Sequence, residues 1–198
     1  MPVIFACILL VFSSPKLLEN PEGGNDKQQE VLSSGRMEGH SMRKQTQEIT
    51  DREVLEEILA GAVICRIAMN DGQVPYLLPF NYGFRDGCIY IHSAREGKKI
   101  DLLARDNRVC FEVEGPVEVI REEKACGWTT RYRSVVGYGT VEVVTEDAGK
   151  RQGLEVIMAQ HGAPHLTEFE PGNMKHMVIL KLTIAYLTGK QSSNWDRA

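Results

Sequence analysis

The sequence predicts a mainly β domain, an antiparallel six-stranded barrel or sandwich with flanking helices. Three observations carry this reading. Short runs rich in Val, Ile and Tyr follow one another closely along the chain. Tight-turn signals separate them at Asn70, Asp71 and Gly72 and again at Asp86 and Gly87. Helical periodicity is confined to three short stretches, too few for a doubly wound sheet.

The first of these helices opens at "TDREVLEEIL", where Thr50 followed by Glu53 has the pattern of a capping box. Val54, Leu55, Ile58 and Leu59 then share one helical face, and Gly61 ends the helix. Residues 62–69 and 74–84 read as a hairpin, and 88–93 as the third strand of a meander. After Ser93 the chain passes "AREG" into a second helix carrying Ile100, Leu102 and Leu103. It returns as a strand at 107–115. Residues 116–133 have few strand signals after Ile120 and read as a long loop. The next strand, 134–144, contains Gly137 and Gly139, which point to a bulge or a close approach. A third helix spans 147–160 with Leu154, Ile157 and Met158 as its buried face, and a final strand covers 177–189.

With 198 residues, 42% of them apolar and 25% charged, the chain is long enough for one good core. A net charge of −4 without a Lys or Arg block gives no footprint for nucleic acid or an anionic membrane. The five cysteines (Cys7, Cys65, Cys88, Cys110 and Cys126) form no CxxC pair, which fits a reducing cytoplasm better than a zinc or disulfide framework. Residues 3–12 are an apolar run of signal-peptide length, but no basic residue precedes it and it is too short to span a bilayer. Residues 13–48 lack apolar periodicity, so 1–48 reads as a disordered extension, with a secretion signal or membrane anchor as the alternative. The working domain is expected over 49–190, followed by a tail over 191–198.

The segment "IHSAREGKKIDLL", residues 91–103, places Lys98 and Lys99 where a strand gives way to a helix. A P-loop is excluded, because His92 stands where its first glycine belongs and Lys99 where Ser or Thr belongs. A simpler phosphate site remains: free N–H groups at a helix start, the positive end of its dipole, a lysine and the Ser93 hydroxyl. The competing reading is a surface ion pair between Lys98 and Asp101.

The residues "ICRIAMNDGQVPYLLPFNYGFRDGCIYIHSAREGKKIDLLARDNRVCFEVEG", followed by "EKACGWTTRYRSVVGYGTVEVV" and "LTGK", resemble the flavin-binding split barrels related to pyridoxamine 5′-phosphate oxidase. Within that superfamily they are most similar to the 5-nitroimidazole resistance branch. The likeness runs from Ile49 to Lys190, and its most specific pieces are "YIHSAREGKK" and the stretch from "CGW" to "YRSV". It implies a split β-barrel homodimer with FMN in clefts between subunits. It further implies that Leu78, Pro79, Phe80 and Asn81 line the isoalloxazine, that His92 and Ser93 end the neighbouring strand, that Lys98 and Lys99 hold the phosphate, and that Ser134 reaches the cofactor from the partner. Nitroaromatic reduction is the implied activity, with an electron donor that the residues do not name.

Other residues carry two readings each. His92 is either a proton donor near the flavin or a histidine satisfying a backbone carbonyl. Trp128, Arg131 and Tyr132 form either a lid over the flavin or an anchor for loop or dimer surface. Cys65, Cys88 and Cys110 read as small core residues, and His161, His165 and His176 lack metal-ligand spacing, so no metal is expected. Two further functions stay open: pyridoxamine 5′-phosphate oxidase itself, disfavoured because "LTGKQSSNWDRA" lacks a second basic constellation, and a non-catalytic flavin carrier or sensor.

Overall fold

The computed structural model describes residues 43–72 and 74–195. The apolar run at 3–12 and the polar stretch to residue 42 lie outside them. After a 3-10 turn at Gln45–Gln47, the elements in chain order are β1 (Glu48–Ile49), α1 (Arg52–Gly61), β2 (Ile64–Asn70), β3 (Pro75–Asn81), β4 (Gly83–Arg85) and β5 (Cys88–Ala94). There follow α2 (Lys98–Arg105), β6 (Arg108–Ile120), β7 (Thr129–Val144), α3 (Asp147–Gln160), α4 (Pro171–Met174) and β8 (Met177–Gln191).

The eight strands form one antiparallel sheet in the order β3-β2-β6-β7-β8-β5-β4, with β1 paired to β8. The expected mainly β architecture is therefore present, with two more strands than the six predicted. One of the two is β1, and the other comes from a split of 74–84 at Tyr82. That split joins the two ends of the sheet covalently, because β3 lies at one edge and β4 at the other. The sheet curls into an open barrel around Ile67, Phe111, Val113, Val135 and Leu182, all nearly or fully inaccessible to solvent. Tyr82, itself fully buried, fixes the corner by donating its hydroxyl to Leu59 O.

Local chemistry explains most boundaries. The N-cap of α1 is Asp51, whose carboxylate accepts from Glu53 N at 2.9 Å, so the expected Thr50 capping box is replaced by an Asx cap one residue later. Leu55, Ile58 and Leu59 are buried as expected, and Val54 packs beside them. Gly137 and Gly139 are close approaches: a Cβ on the first would lie 2.4 Å from the Phe111 ring, and on the second 2.2 Å from Thr183 O. The β7–β8 register also shifts between Tyr138 and Gly139, the bulge the glycines announced.

Two segments differ from expectation. Residues 116–133 are mostly strand: β6 runs on through a bulge between Glu114 and Val117 to Ile120, and β7 starts at Thr129. Trp128, Arg131 and Tyr132 thus lie at the end of a β6–β7 hairpin, where cross-strand pairing satisfies the backbone that a loop would leave to solvent. Helix α3 spans 147–160 as predicted, but it buries Lys150, Gly153, Val156 and Ile157, while Leu154 and Met158 are only half-buried. Gly153 takes the inner position because its missing Cβ would meet Ile179 at 2.8 Å. The buried Lys150 ammonium donates to Met174 O at 2.8 Å and pairs with Asp147 at 2.8 Å, tying α4 to α3.

Candidate functional site

The lysines at the start of α2 have different surroundings. Gly97, with φ 110°, turns the chain sharply from β5 into the helix, a conformation open to glycine. Ile100 N and Asp101 N both bond to Gly97 O, while the earlier N–H groups of the first turn have no acceptor within a helix. The ammonium of Lys98 lies 2.6 Å from the Asp71 carboxylate and 4.7 Å from the centroid of the Tyr76 ring. The competing reading, a local pair with Asp101, gives way to a link to the β2–β3 turn. Lys99 is half-buried and forms no ion pair among the described residues.

That link brings β3 beside the start of α2. β3 is an edge strand, paired among the described residues only with β2, so its other edge presents unpaired backbone groups. Along it, Leu78 and Phe80 pair with Ile67 and Cys65 and pack on the core, whereas Pro79 and Asn81 are exposed on the outer face. The four residues therefore divide by strand alternation, two inward and two outward. β5 approaches β3 across the seam where the barrel stays open.

On β5 the same alternation separates His92, which is exposed, from Ser93, which is buried and donates its hydroxyl to Ala94 O at 3.0 Å. The two side chains face opposite sides of the sheet. Ser134, on β7, is paired with Glu114 and Lys190, three strands along from β3, about 14 Å by strand spacing. It does not join the group around the seam within one chain.

Trp128, Arg131 and Tyr132 are also apart from the seam. Trp128 is exposed but donates its indole N–H to Glu122 O at 2.8 Å, within its own turn. Arg131 faces Glu118 across the hairpin at 3.3 Å, and Tyr132 is bracketed by Ser192, whose N–H donates to Tyr132 O at 3.0 Å. A cavity of about 250 Å³ lined by Pro116, Val117, Glu118, Arg131 and Trp195 lies there. The C-terminal Trp195 covers Arg133 at 4.3 Å.

The outer face of the sheet holds residues that sequence reading missed. Cross-strand neighbours share a face, so Pro79, Arg66, Glu112, Val136 and Thr188 form one row. Arg66 bonds Glu112 at 3.0 Å and lies 4.0 Å from Glu114. Burial raises the Glu112 carboxyl above its ordinary value, and Arg66 opposes that shift. A second cavity, about 370 Å³, opens beside this group between Ala62, Ile64, Arg66, Glu114 and Pro116. The signal available in the sequence was charge at alternate strand positions, at Arg66, Glu112 and Glu114.

Burial raises the thiol of Cys65 to about 12, and Cys110 and Tyr138 are also raised by burial, so none of them is poised as an anion near neutral pH. Among the described residues no group of three or more His, Cys, Asp or Glu side chains could hold a metal, and no helix is long and apolar enough to cross a membrane.

The residues around the seam are compatible with a flavin that carries a phosphate on two counts. An edge strand with open backbone groups suits the polar rim of a flavin, and a helix start with an unpaired lysine suits a phosphate monoester.

Comparison with solved structures agrees with the fold. A candidate 5-nitroimidazole antibiotic resistance protein from Bacteroides thetaiotaomicron is 27% identical, with a TM-score of 0.65 over 73% of this chain and 86% of that one. The flavocytochrome Anf3 from Azotobacter vinelandii is 18% identical, with a TM-score of 0.66 over 78% of this chain and 73% of its own. An FAD and heme binding protein from Mycobacterium smegmatis is 22% identical, with a TM-score of 0.66 over 75% of each chain. No curated protein matches the chain. Residues 51–191, from the N-cap of α1 to the end of β8, match the family described as pyridoxamine 5′-phosphate oxidase, and the chain belongs to that family.

Proposed function

We propose that this protein is an FMN-binding flavoprotein that reduces nitroaromatic compounds, with the cofactor held between two copies of the chain. The observation that carries the reading is the meeting of the open edge of β3 with the cationic start of α2, linked by Lys98 across Asp71 and Tyr76. Family membership supports a flavin, as do the flavin-binding descriptions of several structural relatives. The nitroaromatic substrate rests on the likeness to the Bacteroides protein.

When bound, FMN supplies the two-electron chemistry. In this reading the backbone of β3 from Leu78 to Asn81 hydrogen-bonds the rim of the ring, and Pro79 and Asn81 meet it with their side chains. Lys99 carries the charge that the phosphate needs, with Lys98 beside it. His92, exposed at the end of β5, is the proton source for the acceptor in this reading, and Ser93 braces that strand end from inside.

A homodimer is part of the proposal. Ser134 lies three strands from β3 and two from β5, and in this reading it serves the partner's seam rather than its own. Val117, Val119 and Trp128 expose apolar surface on the projecting β6–β7 hairpin, and such surface is commonly covered by a partner. Arg131 and Tyr132 then belong to that covered surface.

The test begins with the purified protein. Flavin absorption with FMN released at about one per chain, and consumption of a nitroimidazole when a reduced donor is added, are the expected results. Failure to bind added FMN overturns the reading, and bound FMN without turnover leaves a carrier. Lys98→Ala with Lys99→Ala is expected to weaken FMN binding at least about tenfold, as loss of charge-assisted hydrogen bonds implies, with unchanged circular dichroism.

A further inference from the structure

We propose that Asp71 is an internal anion that competes with the cofactor phosphate for Lys98 and thereby sets how tightly the phosphate is held. This rests on the reading that a flavin phosphate docks at the start of α2. The carboxylate and the ammonium are 2.6 Å apart, and the ammonium also sits 4.7 Å above the Tyr76 ring, so Lys98 is engaged before any ligand arrives. Lys98 bypasses Asp101, three residues on in its own helix, to make this contact.

The two neighbours of Asp71 in the chain are held in place. Gly72 N donates to Asn70 Oδ1 at 2.9 Å, Gly72 adopts φ 81°, and Asn70 Nδ2 reaches Asp106 Oδ2 at 3.4 Å. The carboxylate is thus presented to Lys98 between two hydrogen-bonded neighbours. An opposite charge in contact cancels most of a lysine's attraction for a third charge, and the carboxylate repels a nearby phosphate dianion as well. In the protein as it stands, Lys99 is the principal attractor and Lys98 is largely neutralised. A ligand with one phosphate must therefore share or displace Asp71, whereas the same flavin without its phosphate is indifferent to it.

The experiment measures FMN and riboflavin affinities by flavin fluorescence for the full chain and for Asp71→Asn, Lys98→Gln, Lys99→Gln and the Asp71→Asn, Lys98→Gln double variant. Asp71→Asn is expected to tighten FMN about three- to tenfold, to leave riboflavin unchanged, and to lose its advantage as salt is raised. Lys98→Gln alone leaves the Asp71 carboxylate unneutralised and is expected to weaken FMN about three- to tenfold, and in the Asp71→Asn background it abolishes the gain. If Asp71→Asn binds FMN no more tightly than the parent while Lys99→Gln still weakens it, the competition is refuted and the phosphate site stands. If the parent binds FMN and riboflavin alike and Lys99→Gln changes nothing, the phosphate site fails and the competition fails with it.

Discussion

Gln160 ties three segments together through one side-chain amide: it accepts from Phe84 N at 2.6 Å and donates to Leu59 O at 3.0 Å and Ala62 O at 2.6 Å. These groups end α1 and open β4, so the amide holds the corner that Tyr82 also braces. Replacement by leucine keeps the volume and removes every bond. Gln160→Leu is therefore expected to cost about 3 kcal/mol, read as a lower denaturant midpoint at constant slope, because partly buried backbone groups lose their partner. A midpoint within error of the parent would mean that water replaces the amide. Nothing in the sequence announces this role, since the partners are 76 to 101 residues away and a glutamine closing a helix reads as solvent-facing. The lysines of α2 were legible as a cationic helix start, but not their different surroundings, because Asp71 is brought to Lys98 only when the barrel curls.

At the scale of elements, the β6–β7 hairpin and the inner face of α3 were the parts the sequence concealed. Val117, Val119, Thr129 and Thr130 carry strand propensity, but the charged run between them, from Arg121 to Lys124, reads as loop. For α3, apolar periodicity favoured the larger side chains Leu154 and Met158, whereas packing selected Gly153 and Val156, since the helix lies too close to the sheet for bulk. Gly83 measures that closeness from the other side: a Cβ there would lie 2.6 Å from the backbone of Val156 and Ile157. Main chain cannot rotate away as a side chain can. Gly83→Ala is thus expected to push α3 off β4 and to cost about 2–3 kcal/mol, measured as a lower melting temperature with far-ultraviolet circular dichroism retained. An unchanged melting temperature would show that helix and strand can part without loss.

At the scale of the whole molecule, fold class was readable because tight turns and alternation are local, while strand order was not, because it is decided by long-range closure. The same exposure of Val117 and Val119 that marks the hairpin bears on assembly. The protein is expected to sediment as a dimer, and Val119→Glu to sediment as a monomer with reduced flavin content; a monomeric parent with full flavin would remove the shared cofactor site. β8, formed by Met177–Gln191, is the common neighbour of β1, β5 and β7. Until those residues leave the ribosome, the earlier strands lack the partner that joins them, and the nascent chain displays apolar strand edges open to chaperones and to misassociation. The interval between the emergence of β7 and that of β8, rather than the order in which earlier strands emerge, then bears on how much chain reaches the barrel.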